Sequence, residues 1–378
     1  MIRTPIDSIL TGCVLALLTL SVLMVSSASL SVAEVRYDDA FRIIRHWLIY
    51  IPLGLLLMWA VSLVHPNSWK SACLPILLMA LLIMISVLLT GQKLNGATRW
   101  FSLFGLSLQP VELLKPAVIL YMAYYMSHFP SRLTHLYSGL APMSLILGAA
   151  LLLLMLQPDF GNALLLASVC FALWFVGGIP FRHLIGIGLA MIPIAIIAVI
   201  AEPYRVQRLL SFTDPWADPF RSGYQLIQSM IAFGSGGMTG VGLGQGIQKL
   251  FYLPESFTDF IAAVLGEELG LIGTASLIII FAVMIMRGLQ IAIRCEHSFE
   301  RLLATGCTLL IGISFFINLA AVMGMIPTKG MPIPFFSYGG SALFGNCILM
   351  GLLLGVHRHL PKTQNNKARR SKNVEATA

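Results

Sequence analysis

The sequence predicts an all-α polytopic membrane protein of about ten transmembrane helices, with its working surface in polar loops on one side of the bilayer. Three observations carry this. First, the 378 residues are 57% hydrophobic and only 11% charged, with mean hydropathy +0.86. A soluble domain carries roughly 25% charged residues, so this chain cannot clothe itself in a water-exposed surface. Second, stretches free of Asp, Glu, Lys and Arg run 8–33, 46–69, 71–92, 116–131, 133–158, 160–181, 183–201, 269–286, 302–328 and 330–357. A span needs about 20 mostly apolar residues, so each stretch holds one helix. Third, the acidic residues fall unevenly between the two sides, 4 against 12.

Taken in order, the N-terminus has the outline of a secretory signal: Arg3, an apolar run, then small residues from Ser26 to Ala33. The run is too long for a signal's apolar core, which predicts a retained first helix. Outer segments follow near 34–45 and 93–115. The 116–131 stretch is short for a span, so its helix must begin in the polar segment before it. A tight corner stands at Gln157-Pro158-Asp159, and a long outer loop, about 202–258, separates helices 7 and 8. Long loops tend to be functional, and this one is large enough to form a site. A last outer segment covers roughly 324–338. The expected organisation is a single polytopic membrane domain over 1–360 and a disordered basic tail over 361–378, with no internal repeat.

An even number of spans puts both termini on one side, and the tail assigns that side to the cytoplasm. Lys and Arg then divide 13 inside to 11 outside, a weak asymmetry. Acidic residues contribute little to orientation, so the twelve outer ones read as chemistry. Of the six cysteines, five fall in spans and Cys295 in an inner loop. None has zinc spacing, and they read as structural thiols.

Gln109-Pro110-Val111-Glu112-Leu113-Leu114-Lys115-Pro116 begins a helix whose residues 109, 112 and 115 share a face. An ordinary ion pair accounts for Glu112 and Lys115. However, a cation near a helix N-terminus opposes the dipole, which favours an anion that Lys115 must meet. In the long loop, Arg205 and Arg208 suit lipid phosphate or a diphosphate equally. Asp214 and Asp218 precede prolines and read as turn formers. The Gly-rich run 234–246 lacks the context of a dinucleotide or P-loop motif, so tight turns explain it at least as well. In Leu253-Pro254-Glu255-Ser256-Phe257-Thr258-Asp259-Phe260, Thr258 is the expected N-cap, placing Asp259 in the first turn of the eighth helix. Glu267 then lies about 12 Å deeper on much the same face. Carboxylates entering a membrane helix by default line a cavity, with a helix extension above the membrane as the plain alternative for Glu267 and Glu268. Finally, Pro327, Pro332 and Pro334 around Lys329 predict re-entrant backbone, which persists only against protein or a wet cavity.

These motifs resemble the SEDS family (shape, elongation, division and sporulation) over nearly the whole chain. The likeness rests on Asn95-Gly-Ala-Thr-Arg-Trp, Gln109-Pro-Val-Glu-Leu-Leu-Lys, Gln157-Pro-Asp-Phe-Gly, Leu253-Pro-Glu-Ser-Phe-Thr-Asp-Phe, Gly266-Glu-Glu-Leu-Gly and Ser337-Tyr-Gly-Gly-Ser. Gln248-Lys249-Leu250 and Pro327-Thr328-Lys329-Gly330 look like the division (FtsW-like) branch more than the elongation (RodA-like) branch. Phe257 stands where the family usually has His, and Ala262 where Phe is common.

The resemblance implies a peptidoglycan glycosyltransferase that polymerises lipid II, with Asp259 matching the family's essential aspartate and Glu112 and Lys115 also needed. It implies a class B penicillin-binding protein as membrane partner, other divisome membrane proteins, and no nucleic acid. The expected chemistry is an inverting single displacement with Asp259 as general base. Lys115, Arg99, Arg205 and Arg208 are candidates for the diphosphate charge, and a divalent cation such as Mg2+ is a candidate to share it. Gln109, Glu255, Glu267, Glu268, Lys329 and Ser337 complete the expected substrate-binding set. The alternatives are an elongation-type polymerase, a lipid II flippase, and a scaffold for the partner enzyme. Charges gathered on one face favour a polymerase over a two-sided pathway.

Overall fold

A computed structural model describes residues 5–94, 97–103, 106–328 and 330–360. Its helices are α1 (Ser8–Tyr37), α2 (Arg42–Leu63), α3 (Pro66–Thr90), α4 (Val111–His128), α5 (Ala141–Leu156), α6 (Phe160–Val176), α7 (Phe181–Ile200), α8 (Pro203–Thr213), α9 (Tyr224–Gly236), α10 (Ile261–Arg294), α11 (Ser298–Val322) and α12 (Gly340–His359). Among the described residues eight of these are long and apolar enough to cross a membrane. The α5 span counts from Leu136, with the π turn Leu136–Leu140 that leads into it; the apolar α6 has 17 residues, and α4 carries the Glu112–Lys115 pair. With these two the bundle has ten helices. As the short 116–131 stretch required, α4 starts at Val111, in the polar segment before it.

Lipid offers no hydrophobic drive for helix association, so close packing at small residues holds such bundles together. A Cβ at Gly351 would stand 2.7 Å from the Met58 carbonyl oxygen, which sets how closely α12 approaches α2. At the end carrying both termini, Asp7 caps α1 by accepting the Leu10 N–H at 2.9 Å. The same carboxylate pairs with Arg287 of α10 at 2.7 Å, fixing α1 to α10 there.

The long loop is mostly structured. It contains α8, a 3-10 turn at Pro215–Ala217 and α9, followed by turns up to α10. The outer segment after α3 holds a small antiparallel meander that the sequence reading did not foresee: β1 (Gln92–Leu94), β2 (Ala97–Leu103) and β3 (Leu106–Leu108). Gln92 faces Trp100 across β1–β2, and Phe101 faces Leu108 across β2–β3.

The 330–339 segment is non-helical, as its prolines predicted, and mostly buried over 331–337. Part of its polar backbone is satisfied by protein. Ser21 of α1 donates to the Phe336 carbonyl at 2.5 Å, Ile333 N–H donates to Ser337 Oγ at 2.8 Å, and Tyr338 N–H donates to the Phe257 carbonyl at 3.1 Å. Burial against protein is one of the two conditions under which irregular backbone survives in a membrane.

Candidate active site

A cavity of about 290 Å³ opens where the loops after α5, α7 and α11 meet. One wall is apolar, from Phe160 and Leu164 of α6, Val199 of α7 and Leu209 of α8. The other is polar, from Asp159, Tyr204, Arg205 and Arg208, closed by Thr328 and Gly330. The arginines are held in place by their surroundings. Arg205 Nε donates to Tyr204 Oη at 3.1 Å, and its guanidinium lies 5.7 Å from the Phe160 ring centre. Arg208 donates to the Thr328 carbonyl at 3.4 Å.

Asp259 borders this cavity through Gly330. A Cβ at Gly330 would come within 2.9 Å of Asp259 Oδ2, so no side chain separates the acid from the cavity edge. Asp259 is half-buried, and desolvation is the main reason its pKa is pushed up to about 7. The nearby Glu255 charge raises it further, and the Arg208 charge opposes both. The result is a carboxyl poised between its protonated and ionised forms near neutral pH.

The local chain differs from expectation at one point. Thr258 does not cap the eighth span; its hydroxyl donates to Glu255 Oε2 at 2.8 Å. Glu255 takes a left-handed conformation (φ 56°), and its carbonyl accepts the N–H groups of both Thr258 and Phe260. The chain therefore turns once more before α10 starts at Ile261, leaving Asp259 in the turn rather than in the helix. Two interactions hold that turn. Phe257 packs edge-on against Tyr338 at 5.8 Å, so the Phe that replaces the family's usual His is a packing residue. Asn318 of α11, 1% exposed, donates to the Asp259 carbonyl at 3.0 Å and also to the Met331 carbonyl.

Three further groups of expected site residues lie away from this cavity. Glu112 and Lys115 form a buried pair at 2.7 Å at the close α4–α12 contact, where a Gly345 Cβ would sit 2.8 Å from Glu112 Oε2. They do not line the cavity. Their link to it runs through the start of α4, where Gln109 Nε2 donates to Asp159 Oδ2 at 3.4 Å and Gln109 N–H to Ser341 Oγ at 3.0 Å. Glu267 and Glu268 are 3% and 0% exposed and serve internal donors instead of facing the cavity, because the Gly-rich loop folds over them. Ser337 Oγ accepts the Ile333 N–H within its own turn. Lys329 lies outside the described residues, as does the side chain of Arg99, whose backbone is in β2.

Sequence reasoning passed over Asp159 and Asn318. Asp159 caps α6 and accepts from Asn162 Nδ2 at 2.9 Å and from Gln109. It is the one charge between two apolar runs, a signal that was available but was read as a corner. Asn318 had no comparable signal. Among the described residues no three His, Cys, Asp or Glu are grouped to hold a metal ion.

Together these features define a class of protein: a multi-pass membrane protein with a cavity lined by two arginines and an acid of near-neutral pKa at the cavity's edge. A family model described as a cell cycle protein, FtsW/RodA/SpoVE, matches residues 7–362, and the chain belongs to that family. It is 42% identical over 358 residues to a probable peptidoglycan glycosyltransferase FtsW of Coxiella burnetii, covering 93% of this chain and 95% of that one. Identity to the protein of the same description in Alcanivorax borkumensis is 42% over 360 residues, 93% of each chain. Among solved structures, it resembles a chain described under "Structural coordination of polymerization and crosslinking by a peptidoglycan synthase complex", with TM-score 0.77, 28% identity, and 94% and 99% of the two chains covered. The rod shape determining protein RodA of Thermus thermophilus gives TM-score 0.71 at 26% identity, covering 95% and 98%.

Proposed function

We propose that the chain is a peptidoglycan glycosyltransferase that polymerises lipid II into glycan strands during septal wall synthesis. The observation that carries this reading is Asp259, an acid raised to about neutral pKa, at the edge of a cavity that also holds Arg205 and Arg208. The half-apolar, half-cationic lining suits a ligand that joins a lipid chain to a phosphate. The FtsW-described relatives are 39–42% identical to this chain, against 26% for RodA, which favours the division role over elongation.

In the proposed step Asp259 takes the proton from the acceptor sugar hydroxyl. That oxygen bonds to the donor's anomeric carbon from the face opposite the departing group. The carbon–oxygen bond to the diphosphate breaks, inverting an α-linkage to β, and the electron pair leaves on the diphosphate. Arg205 and Arg208 stabilise that growing charge, where preorganised cations act most strongly. Glu112, Lys115 and Gln109 act from behind the cavity, through the start of α4 and Asp159. The partner is a class B penicillin-binding protein that cross-links the strands, alongside other divisome membrane proteins. The chain sits in the inner membrane with both termini cytoplasmic and the cavity on the outer face.

The test is to incubate purified protein, reconstituted with its partner, with labelled lipid II. Glycan chains are the expected product. Lipid II that changes leaflet without joining into chains would contradict the reading and favour a transporter.

A further inference from the structure

A second set of buried charges, unused in the chemistry above, lies where the Gly-rich loop meets α10 and α1. Lys249 Nζ is 2.5 Å from Glu268 Oε1 and 2.6 Å from Ser27 Oγ of α1. Ser27 Oγ stands 2.7 Å and 2.9 Å from the two Glu268 oxygens, and Gly244 N–H donates to Glu268 Oε2 at 3.0 Å. Glu267 Oε1 accepts the Ile247 N–H at 2.9 Å. Both carboxylates accept from protein donors. They are engaged inside the protein, yet they are costly to bury.

The backbone shows why they are there. Gly270 breaks α10 at φ 63°. Around the break the helix and loop exchange main-chain bonds: Leu271 and Ile272 N–H donate to the Gly237 and Met238 carbonyls, and Val241 and Gly242 N–H donate to the Glu267 and Glu268 carbonyls. Gly240 admits this approach, since a Cβ there would fall 2.1 Å from the Glu268 carbonyl oxygen. The chain from Lys249 to α10 has little slack. Leu253 N–H closes a turn onto the Gln248 carbonyl, and Ser256 Oγ donates to the Ala28 carbonyl, next to Ser27. Asp259 rides on this short fixed segment.

We propose that Ser27, Lys249, Glu267 and Glu268 form a clasp between α1, the Gly-rich loop and α10 that positions Asp259 against the cavity. The clasp is a positioning device, and its effect on rate rests on the polymerase reading of Asp259.

The test uses the full chain with its partner in lipid nanodiscs, labelled lipid II, and amide exchange over 241–250. Lys249→Ala is expected to lower kcat at least tenfold with KM within twofold, and to speed exchange over 241–250, whereas Lys249→Arg retains most activity and protection. An unchanged kcat overturns the proposal. So does a raised KM at constant kcat, which would make Lys249 a substrate ligand. If Lys249→Ala does not fold, Ser27→Ala removes hydrogen bonds but no charge and is expected to cost two- to fivefold in kcat with faster exchange. Unchanged exchange in that variant overturns the clasp. A wild-type protein that makes no glycan removes the polymerase reading alone, and exchange then decides the clasp.

Discussion

Asp259 is set apart from the molecule's other acids by what surrounds it. Glu268 and Glu112 are more buried and each is paired with a lysine, whereas among the described residues no cation is hydrogen-bonded to the desolvated Asp259 carboxyl, whose pKa rises to about 7. A general base works only when ionised, so kcat/KM should climb with pH through about 7 and level off above it. The two charged neighbours give predictions of opposite sign. Glu255→Gln removes a charge that raises the pKa, and the acid limb of the pH–rate profile should move to lower pH. Arg208→Gln removes the charge that lowers it, and the limb should move to higher pH besides losing rate. Shifts in the same direction in both variants would contradict this electrostatic account. Gly330→Ala places a methyl 2.9 Å from Asp259 Oδ2. Activity should fall at least tenfold while membrane expression and the thermal midpoint hold.

At the scale of elements, α4 and α11 support the site without entering it. Removing one partner of a buried ion pair costs roughly 3–5 kcal/mol, while replacing both with apolar groups is often neutral. Lys115→Met should therefore lower the unfolding midpoint in detergent strongly, and Lys115→Met with Glu112→Leu should recover most of it. Polymerase activity returning with the double variant would show that the pair is a strut; activity staying absent would assign it a chemical role. Asn318→Ala strips donors from two carbonyls and should cost about 1–3 kcal/mol, read by the same midpoint. Elements were legible in proportion to their length and apolarity. The charge-free runs marked every span, because an uncompensated charge in lipid is expensive. The β1–β3 meander escaped because strands of three to seven residues carry too short a pattern. The Thr258 cap was misread because the left-handed Glu255 adds a turn that composition does not announce.

Across the whole molecule, α1 is tied to the α10 region at two places: by the Asp7–Arg287 ion pair near one end, and by Ser27, which contacts the Lys249–Glu268 pair. The bundle thus offers a stiff frame at whose loop end one acid and two arginines meet. The residues of that meeting place were mostly visible in the sequence, since acids and arginines at a membrane boundary are conspicuous against an apolar chain. Their grouping was not. Whether Glu267 and Glu268 face a hollow or clamp a loop depends on which donors the Gly-rich loop brings back to them, a long-range fact that spacing along α10 cannot carry. Asp159 and Asn318 entered for the same reason, through contacts between elements far apart in the chain. The measurement that bears most directly on this account is single-turnover polymerisation of labelled lipid II by purified wild type and Asp259→Asn, each reconstituted with the partner, from pH 5 to 9. The account predicts glycan from the wild type with an acid limb near pH 7, and in the variant a rate about 10²–10⁴ below the wild-type plateau that no longer follows that limb. Polymerisation by Asp259→Asn at the wild-type rate would contradict it.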